Sequence, residues 1–590
     1  MKQLLLTALF CLSVCYGTFA AIFDGAGTTE DPYLINDQKD LARLAVLVNG
    51  GYIGGYSDAS YRLTADIDLA DFGAPETTGW IPIGSDGASF YGQFDGDNHT
   101  IYNLTIKRTD IDYAGLFGRA SDAEFKNIKL VGGEIQIDVD RYSDVGFLAG
   151  GMTSGNMDNC SSTGTITVTS SSLSSLSTVG GLVGRVHFNS SVRNCYTTGT
   201  VTVTSTSDHS FYVGGLVGFL DAGPVSNCYT TGDVTVTCNF SSCVGGLVGY
   251  TRFSVSDCYT TGNVTAISGS PSVGGLVGSS DFSSISDCYA TGDVTATSES
   301  SSAGGLVGSS SSTIGNSYAT GDVTATCNFS YAGGLVGATS FATIRNSYAS
   351  GAVTATSESK SYAGGLVGYT YYRYPLPTIT YLLTISSCYA TGVVIATSES
   401  ESFAGGLVGY TNGGITNSVA ANNFVTGESP DDEVCAGGVV GYADEPADIT
   451  DCYHKETMVV AGTGHDNTVS GQSATASELT SRAFYANLGW DMDEVWSIEE
   501  GVDLPKLRVK PGDSSAINTP DASQENNIRV YSNGNSIVVA GANTGEAVWV
   551  YNLSGQLMQQ TTITSPETRI AIPQGIYIVK VGSAARVRKN

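Results

Sequence analysis

The chain of 590 residues predicts an all-β protein, a β-helical solenoid of about eleven rungs with short helical caps, followed by a small C-terminal antiparallel β-sandwich. Three observations lead to this prediction. The word GGLVG recurs at a nearly constant interval of about 30 residues. No part of the repeat has the apolar spacing of a helix. The end of the chain changes to short alternating runs separated by turn residues.

The repeat itself predicts one turn of a solenoid. GGLVG begins at residues 180, 214, 245, 274, 304, 333, 364 and 405, and the related words AGLFG, GFLAG and GGVVG begin at 114, 146 and 437. One copy, 303–332, holds three β-prone pieces, AGGLVG, TIGNSYA and GDVTAT, with Gly, Asn and Asp at the corners between them. A single rung cannot bury its own apolar face, so stability must come from stacking on its neighbours.

The pattern within a rung indicates which side chains face the interior. In GDVTAT the Val and Ala share one face and we expect them inside, with the Thr residues outside. A corner at the Asn or Asp that precedes each Cys-Tyr or Ser-Tyr pair turns Cys or Ser inward and Tyr outward; without that corner the Tyr faces inward. We expect the corner. The adjacent Leu and Val of GGLVG cannot both face the interior of a plain strand, and the pattern leaves them unassigned.

The flanking segments predict caps at both ends of the solenoid, which spans 113–454. Residues 21–112 form an N-terminal cap and lead-in strands, with a helix over 36–50 that begins at Asn36. Residues 455–509 form a C-terminal cap, with a short helix from Ser477 to Leu488. Such caps cover the strand edges that a solenoid otherwise exposes.

Beyond the caps, composition divides the remaining chain. Residues 510–526 are rich in Pro, Ser, Asp and Asn and are predicted to be a linker. Residues 527–590 hold short strands with turn signals between them and are predicted to form the β-sandwich. Residues 1–20 have a basic Lys2, an apolar stretch and a small-residue site at 18–20, as in a secretory signal peptide. A lipidated Cys15 is the alternative for this segment.

The net charge and the hydropathy of the chain argue against two classes of partner, nucleic acids and a membrane-spanning contact. The formal net charge is −29, while only 14% of residues are charged. Nucleic acids are bound mainly by Lys and Arg on phosphates, so we expect no nucleic-acid partner. No later apolar run is long enough for a transmembrane helix, and we expect none in the mature chain. The composition suits an exported protein.

The cysteines follow the repeat. Cys or Ser occupies one slot in successive rungs, including Cys160, Cys195, Cys228, Ser317 and Ser347. A slot that accepts either residue predicts a small packed side chain, because an obligatory disulfide would require Cys in every copy. Stacked rungs also place Cβ vectors parallel, which disfavours a bridge. Cys238 and Cys243, five apart in a loop, are the one candidate local disulfide.

Two resemblances bear on identity. The core Gly181-Leu182-Val183-Gly184 and its counterparts resemble the GLUG repeat of bacterial surface proteins, and the lead-in pieces DPYLI, LTADIDL and WIPIG resemble their usual front segment. The tail words VYNLSGQLM at 550–558 and IPQGIYIVKVG at 572–582 resemble the C-terminal sorting domain of the type IX secretion system of Bacteroidota. The resemblance implies export to the cell surface, with the type IX machinery as partner of 527–590 and with tail removal followed by surface attachment or release.

Catalytic patterns were sought along the chain. No HExxH metal-ligand spacing, G-x-S-x-G elbow or phosphate-binding loop occurs, and we predict no metal, cofactor or catalytic site. The nearest approach to a polysaccharide-cleaving cluster is Asp95, Asp97 and His99, in a segment where Gly and Asn suit a turn.

Two groups of aromatic residues are candidate binding sites. One is a register of tyrosines in the repeat, either an outward stripe that stacks on sugar rings or simple ring packing between rungs: Tyr196, Tyr229, Tyr259, Tyr289, Tyr318, Tyr348 and Tyr389. The other is the insert 369–383 in the longest repeat, either a ligand contact or a loop lying on the rod: Tyr369, Tyr371, Tyr372, Arg373, Tyr374 and Tyr381.

The sequence therefore predicts a secreted surface protein. We expect a non-enzymatic solenoid that binds a glycan or a host protein and is attached to the outer membrane or released. The alternatives are a carbohydrate-active β-helix enzyme and a purely structural spacer.

Overall fold

The structure is a computed structural model of the whole chain. It describes residues 22–508 except 52–54, 71–77, 110, 140–141, 171–176, 207–209, 222, 371–383, 431–432, 446 and 463–467, and residues 529–589 except 533–535, 541–546, 553–556, 564–566, 572–575 and 582–583. The chain divides into two compact units, Met1–Val509 and Lys510–Asn590. The predicted signal peptide 1–20 and linker 510–526 lie outside the described residues.

The first unit is a parallel β-solenoid of about thirteen turns, which confirms the predicted fold class. Each turn contributes strands to three parallel sheets, and Val pairs with Val, Thr with Thr and Tyr with Tyr in neighbouring turns. The solenoid has more turns than the repeat count suggested. The lead-in strands from Tyr33 onward and the strands after residue 452 join the same sheets.

Sheet 1 has 23 strands and contains the residues that follow each GGLVG bend. Its strands are Tyr33–Ile35, Ser60–Leu63, Gln93–Asp95, Phe117–Ser121, Glu124–Lys126, Ala149–Thr153, Asn156–Asp158, Val183–His187, Ser191–Arg193, Val217–Leu220, Val225–Ser226, Val248–Thr251, Val255–Ser256, Val277–Ser286, Val307–Gly315, Val336–Thr339, Thr343–Arg345, Val367–Thr370, Thr384–Ser386, Val408–Thr411, Gly414–Thr416, Val440–Ala443 and Ile449–Thr450.

Sheet 2 has 14 strands and contains the tyrosine register. Its strands are Ile67–Asp68, Thr100–Tyr102, Lys129–Val131, Ser161–Ser162, Tyr196–Thr197, Tyr229–Thr230, Tyr259–Thr260, Tyr289–Ala290, Tyr318–Ala319, Tyr348–Ala349, Tyr389–Ala390, Val419–Ala420, Tyr453–Lys455 and Gln472–Ala474.

Sheet 3 has 21 strands and contains the residues that precede each GGLVG bend. Its strands are Thr105–Arg108, Tyr113–Ala114, Glu134–Val139, Asp144–Val145, Thr165–Ser170, Ser177–Gly180, Val201–Ser205, Phe211–Gly214, Val234–Thr237, Ser241–Gly245, Val264–Ile267, Ser270–Gly274, Val294–Thr297, Ser300–Gly304, Val323–Gly333, Val353–Gly364, Val394–Ser398, Glu401–Gly405, Phe424–Glu428, Glu433–Gly437 and Val459–Ala461.

The predicted corner before each tyrosine is present. Asn194 has φ 54° and Asp257 has φ 54°, both in the left-handed region that Asn and Asp tolerate better than most residues. The Cys or Ser that follows is buried; Cys195 and Ser317 are each 0% exposed. The tyrosine after it lies on the outer face of sheet 2.

In the GGLVG bend, both the Leu and the Val face the interior, which the sequence pattern had left unassigned. Leu306 and Val307 are both fully buried because the chain bends sharply at the glycines between sheets 3 and 1. The bend leaves no room for side chains: a Cβ at Gly308 would lie 2.4 Å from the backbone nitrogen of Val273 and 2.6 Å from the carbonyl oxygen of Gly278. Neighbouring turns therefore touch through their backbones here.

Helices cap the solenoid at both ends, and their first and last residues differ from the predicted ones. Helix α1, Gln38–Asn49, begins after Asp37, whose carboxylate accepts hydrogen bonds from the amides of Lys39 and Asp40. It buries Leu41, Leu44, Ala45 and Val48 on the first turns. The N-cap is thus Asp37 and not Asn36.

At the C-terminal end of the solenoid, two short helices stand where the sequence predicted a single helix. Helix α2, Ala476–Leu479, starts with a capping box between Thr475 and Glu478, and helix α3, Arg482–Asn487, follows. The antiparallel strands Trp496–Ser497 and Lys506–Leu507 complete this cap. It covers the outer face of sheet 2 at its last tyrosines.

The second unit contains two antiparallel sheets. One has three strands, Arg529–Ser532, Ser536–Ala540 and Glu567–Ala571. The other has four, Ala547–Asn552, Leu557–Thr562, Ile576–Val581 and Ala584–Lys589.

Candidate functional site

A groove runs along the outside of the GGLVG bends. One wall lies on sheet 3 and is formed by the residue two positions before the first Gly of each bend. The other wall lies on sheet 1 and is formed by the third residue after the Leu, or after the Val that replaces it in the last bend. The two walls stay in register over eleven turns, so that each turn adds one residue to each wall. The sheet 3 wall is Tyr113, Asp144, Thr178, Tyr212, Cys243, Ser272, Ser302, Tyr331, Tyr362, Phe403 and Cys435. The sheet 1 wall is Arg119, Gly151, Arg185, Phe219, Tyr250, Ser279, Ser309, Ala338, Tyr369, Tyr410 and Tyr442.

Contacts between the walls show that this surface is concave. In one turn the rings of Tyr212 and Phe219 stack with centroids 5.2 Å apart. In another the rings of Tyr362 and Tyr369 lie 4.8 Å apart. Side chains that leave the outer faces of two adjacent sheets can meet only if those faces turn toward each other.

The N-terminal half of the groove combines aromatic rings with arginines. Phe219 and Tyr250 stack with centroids 5.4 Å apart and an angle of 6° between their planes. The guanidinium of Arg185 lies 4.9 Å from the ring of Phe219 and 5.1 Å from that of Tyr142, within cation–π range of both. Arg252 donates to the hydroxyl of Tyr250, at 3.0 Å.

A buried ion pair anchors this half. Asp144 is fully buried and accepts hydrogen bonds from Thr178 Oγ1 at 2.5 Å, from Arg185 Nε at 3.1 Å and from the Tyr142 hydroxyl. Burial raises the pKa of the Asp144 carboxyl above its ordinary value, and the neighbouring Arg185 opposes that rise. Nη2 of Arg185 is shielded from solvent and has no hydrogen-bond acceptor among the described residues.

A cavity of about 230 Å³ lies at the N-terminal end of the groove. Its lining includes Asn49, Pro82, Asp86, Arg108 and Tyr113, the last of which is the first member of the sheet 3 wall. Asp86 pairs with Arg119, and the Arg119 guanidinium lies 5.7 Å from the ring of Tyr113. The cavity therefore continues the aromatic and polar lining of the groove.

The C-terminal half of the groove is almost entirely aromatic. Tyr362 and Phe403 stack with centroids 4.8 Å apart, and Tyr410 and Tyr442 with centroids 5.5 Å apart. Tyr369, the first residue of the predicted binding insert, belongs to this cluster and stacks on Tyr410 at 5.0 Å. The other insert candidates, Tyr371, Tyr372, Arg373, Tyr374 and Tyr381, lie outside the described residues.

Two turns between the halves carry small hydroxyl side chains on both walls, Ser272 with Ser279 and Ser302 with Ser309. The groove thus changes from an aromatic segment with arginines to a serine segment and then to a second aromatic segment. The wall residues, for example Tyr212 and Phe219, flank the GGLVG word and could be read from the sequence. The alternation of inward and outward side chains along a strand does not show, however, that the two walls converge.

The tyrosine register on sheet 2 forms one continuous stack. Seven rings from Tyr196 to Tyr389 have centroids 4.8–5.0 Å apart and planes within 5° of parallel. The cap covers its C-terminal end, where the Tyr389 hydroxyl donates to the carbonyl oxygen of Pro505 at 2.8 Å and the Trp496 ring lies 6.0 Å away. Ring faces are occupied by neighbouring rings, and the Tyr229 hydroxyl is buried with no hydrogen-bond partner among the described residues. This geometry is the ring packing between rungs that was one of the two predicted alternatives.

The cysteine slot forms a ladder of buried thiols. Cys160, Cys195, Cys228, Cys258 and Cys288 stand in successive turns, each at most 1% exposed. Their thiols lie close to carbonyl oxygens, for example Cys195 Sγ at 3.0 Å from the oxygen of Arg193, and all are free.

The candidate disulfide between Cys238 and Cys243 is not formed; both are free thiols. Cys238 is buried beside Phe240, whereas Cys243 lies in the outer wall of the groove, with Ser242 and Val244 buried on either side of it. The two side chains thus leave opposite faces of the chain, and this orientation prevents the bond.

We expect the thiol ladder to resist alkylation in the native protein. Native and guanidinium-unfolded chains would be treated with iodoacetamide and compared by peptide mass spectrometry. The five ladder cysteines should be labelled only after unfolding, because reaction requires an exposed thiolate. Disulfide-linked ladder peptides, or fast native labelling, would contradict the structure.

The Asp95, Asp97 and His99 segment is a turn. Asp95 Oδ1 accepts a hydrogen bond from the amide of Asp97 at 2.9 Å and another from Asn127 Nδ2. Asp97 has φ 44° and Asn98 has φ 64°, as in tight turns. Asp95 thus has a structural role in holding one turn to the next.

Comparison with known families identifies the repeat. A family model of the GLUG motif matches residues 175–202, 209–237, 240–265, 269–295 and 330–354. These five repeats are GLUG motifs. The matched GLUG segments form both walls of the groove from Thr178 to Ser279 and again at Tyr331 and Ala338. A second family model, a domain of unknown function (DUF6383), matches residues 518–588.

Two curated proteins are similar over part of the chain. Halomucin of Haloquadratum walsbyi is 35% identical over 182 residues, 29% of this chain and 2% of its own length. A protein of Evansella cellulosilytica named as a Gly-rich membrane protein is 34% identical over 115 residues, 19% of this chain and 12% of its own length. The chain thus spans only a small part of the length of these relatives. Together with the GLUG repeats they indicate a surface repeat protein.

Among solved structures, one from Bacteroides ovatus described as a candidate immunoglobulin A1 protease covers 82% of this chain and 95% of its own, at 18% identity and a TM-score of 0.20. Over the part of the chain that the structure describes, no helix is long and apolar enough to cross a membrane.

Proposed function

We propose that the protein is an exported, non-enzymatic surface protein that binds an extended glycan in the groove. The observation that supports this most is the groove itself, a concave channel with aromatic rings, hydroxyls and arginines in register over eleven turns. Sugars pack against aromatic side chains, and their hydroxyls need donors and acceptors at fixed positions.

A glycan suits this groove better than a peptide strand. The wall strand Phe211–Gly214 pairs on one side with Ser177–Gly180 and on the other with Ser241–Gly245. Its backbone groups are therefore used, and a peptide cannot add as a further strand. The groove therefore offers side chains and no free strand edge, which suits a glycan, a ligand that side chains can bind without backbone pairing.

The export route is part of the proposal. The predicted signal peptide, the membrane-protein name of the Evansella relative and the resemblance of 527–590 to a sorting domain support secretion by the type IX system and attachment to the outer membrane. Mass spectrometry of the protein from its native cells tests this route. Cytosolic protein that retains residues 1–20 would contradict it.

Binding is tested on the mature full-length chain with a glycan array, followed by affinity measurement on the best glycan. In the variant Tyr212→Ser with Tyr250→Ser, each substitution introduces the serine that the turn of Ser272 and Ser279 carries at the same position. The fold should therefore persist. We expect at least a tenfold weaker affinity, about 1.4 kcal/mol, because buried aromatic residues dominate such contacts.

Tyr259→Ser is the matched control, since it removes a ring from the stack on sheet 2 and leaves the groove intact. It should bind as the parent chain does. If the parent chain binds no glycan but binds a host protein, the ligand class is wrong. Hydrolysis of a bound glycan would favour the β-helix enzyme instead.

A further inference from the structure

Six exposed phenylalanines border the groove. Among the described residues seven phenylalanines are exposed, and only Phe424 is away from the groove. Four lie three residues after the sheet 1 wall residue of their rung, at a position that we call the sheet 1 rim: Phe188, Phe253, Phe282 and Phe341. Two others, Phe240 and Phe329, lie before the sheet 3 wall.

The sheet 1 rim is strained as well as exposed. Phe188, Phe282 and Phe341 have φ values of 42°, 51° and 58°, in the left-handed region that bulky residues rarely adopt. The same turn in earlier rungs holds Asp122 with φ 51° and Ser154 with φ 53°. Polar residues therefore adopt the same backbone conformation at this position, so the backbone geometry does not require phenylalanine.

Burial does not explain Phe188 or Phe282 either. Phe188 is 65% exposed and Phe282 is 85% exposed. An exposed ring in an unfavourable backbone conformation costs strain and regains little of it through burial. Such residues in register on one edge of the rod indicate a binding surface.

One rim residue connects directly to the groove. The ring of Phe188 stacks on His187 at 5.6 Å, and the ring of His187 meets Phe219 edge-on at 5.5 Å. The aromatic surface thus continues from the sheet 1 wall to the rim. Phe282 lies at the irregular register between Asp281 and Ser284, next to the serine segment.

The charges favour an uncharged ligand. Each arginine of the groove pairs with an aspartate: Arg119 with Asp86, Arg185 with Asp144 and Arg252 with Asp221. No excess positive charge remains among these pairs for a uronic acid, a phosphate or an anionic lipid, and the whole chain carries −29.

We propose that Phe188, Phe253, Phe282 and Phe341 are stacking anchors that hold a neutral polysaccharide chain along the groove. This inference rests on the proposed function and adds the ligand class and the rim contacts. Rungs are about 4.8 Å apart. The four rings span several rungs, as a chain running parallel to the rod axis requires.

The test is a triple variant, Phe188→Asn, Phe282→Asn and Phe341→Asn, in the mature full-length chain. Asn tolerates positive φ, so the unfolding temperature should stay equal or rise. Binding to immobilised probes would be measured for a glucan, a xylan and a mannan, for polygalacturonate, and for phosphatidylcholine vesicles. We expect at least a tenfold loss of affinity for the neutral polysaccharide that the parent binds best. Phe424→Asn, an exposed ring away from the groove, should cause no loss.

The outcomes separate the two proposals. If the parent binds no polysaccharide, the proposed function fails, and this inference with it. If the triple variant keeps its affinity while Tyr212→Ser with Tyr250→Ser loses it, only the rim assignment is wrong. Binding of polygalacturonate alone, or loss confined to vesicles, would overturn the neutral-polysaccharide assignment.

Discussion

Gly308→Ala is expected to destabilise the solenoid by about 3 kcal/mol or more, near the upper end for overpacking. The added Cβ would lie 2.4 Å from the nitrogen of Val273, 2.6 Å from the oxygen of Gly278 and 2.7 Å from the carbonyl carbon of Ser272. All three atoms are backbone atoms of the adjacent turn, which is held in place by its own ladder. A lower midpoint in thermal or denaturant unfolding checks the effect.

Gly315→Ala is the matched control in the same strand. A Cβ there would meet only the Arg345 side chain, at 3.7 Å, which is ordinary contact. We expect a change within about 0.5 kcal/mol, because the added methyl would meet only a flexible side chain at van der Waals distance. Equal effects of the two substitutions would show that intrinsic propensity, and not contact between turns, determines which residues the bend accepts.

Asp144→Ala is expected to cost about 3–5 kcal/mol at neutral pH, because it leaves Arg185 buried without its counter-charge. The side chain of Asp144 is 1% exposed and that of Arg185 is 15% exposed, so water cannot replace the lost interaction. Chemical unfolding at pH 7 measures the effect. Arg193→Ala, on an exposed residue of the same turn as Arg185, should change stability little.

The same carboxyl adds a pH dependence. Its pKa is higher in the folded state than the ordinary 3.8, so the folded state binds this proton more tightly than the unfolded chain does. The stability gained from that proton is fully present below the ordinary value and is lost as pH rises through the raised pKa. Asp144→Asn should remove this part of the pH profile while other carboxyls keep theirs. An unchanged profile in the Asn variant would contradict the assignment.

The sequence was sufficient for much of the solenoid. Val and Ala of GDVTAT face inward because strand alternation leaves them no other choice, and Asn194 marks its corner because few other residues adopt positive φ. The thiol ladder followed from the exchange of Cys and Ser at one position. The lead-in joined the same sheets although it lacks the GGLVG word, so the repeat count fell short of the number of turns.

The groove could not be predicted, for physical reasons. Leu306 and Val307 are both inside only because the chain bends at the glycines, and alternation describes straight strands. The convergence of Tyr212 with Phe219 follows from that bend. Phe282 in a left-handed turn runs against the usual residue preferences, so pattern analysis assigns such a position to Gly or Asn.

The caps contact only the ends of the rod: α1 packs on the first turns, and the C-terminal cap packs on Tyr348, Tyr389, Val419 and Tyr453. The turns between them share one register and contact only their neighbours. An in-frame duplication or deletion of one repeat at the gene level, between Val248 and Val307, would therefore leave both ends intact and change the length of the rod by about 4.8 Å. Unequal recombination between similar repeats therefore gives such a gene a simple way to vary the length of the rod.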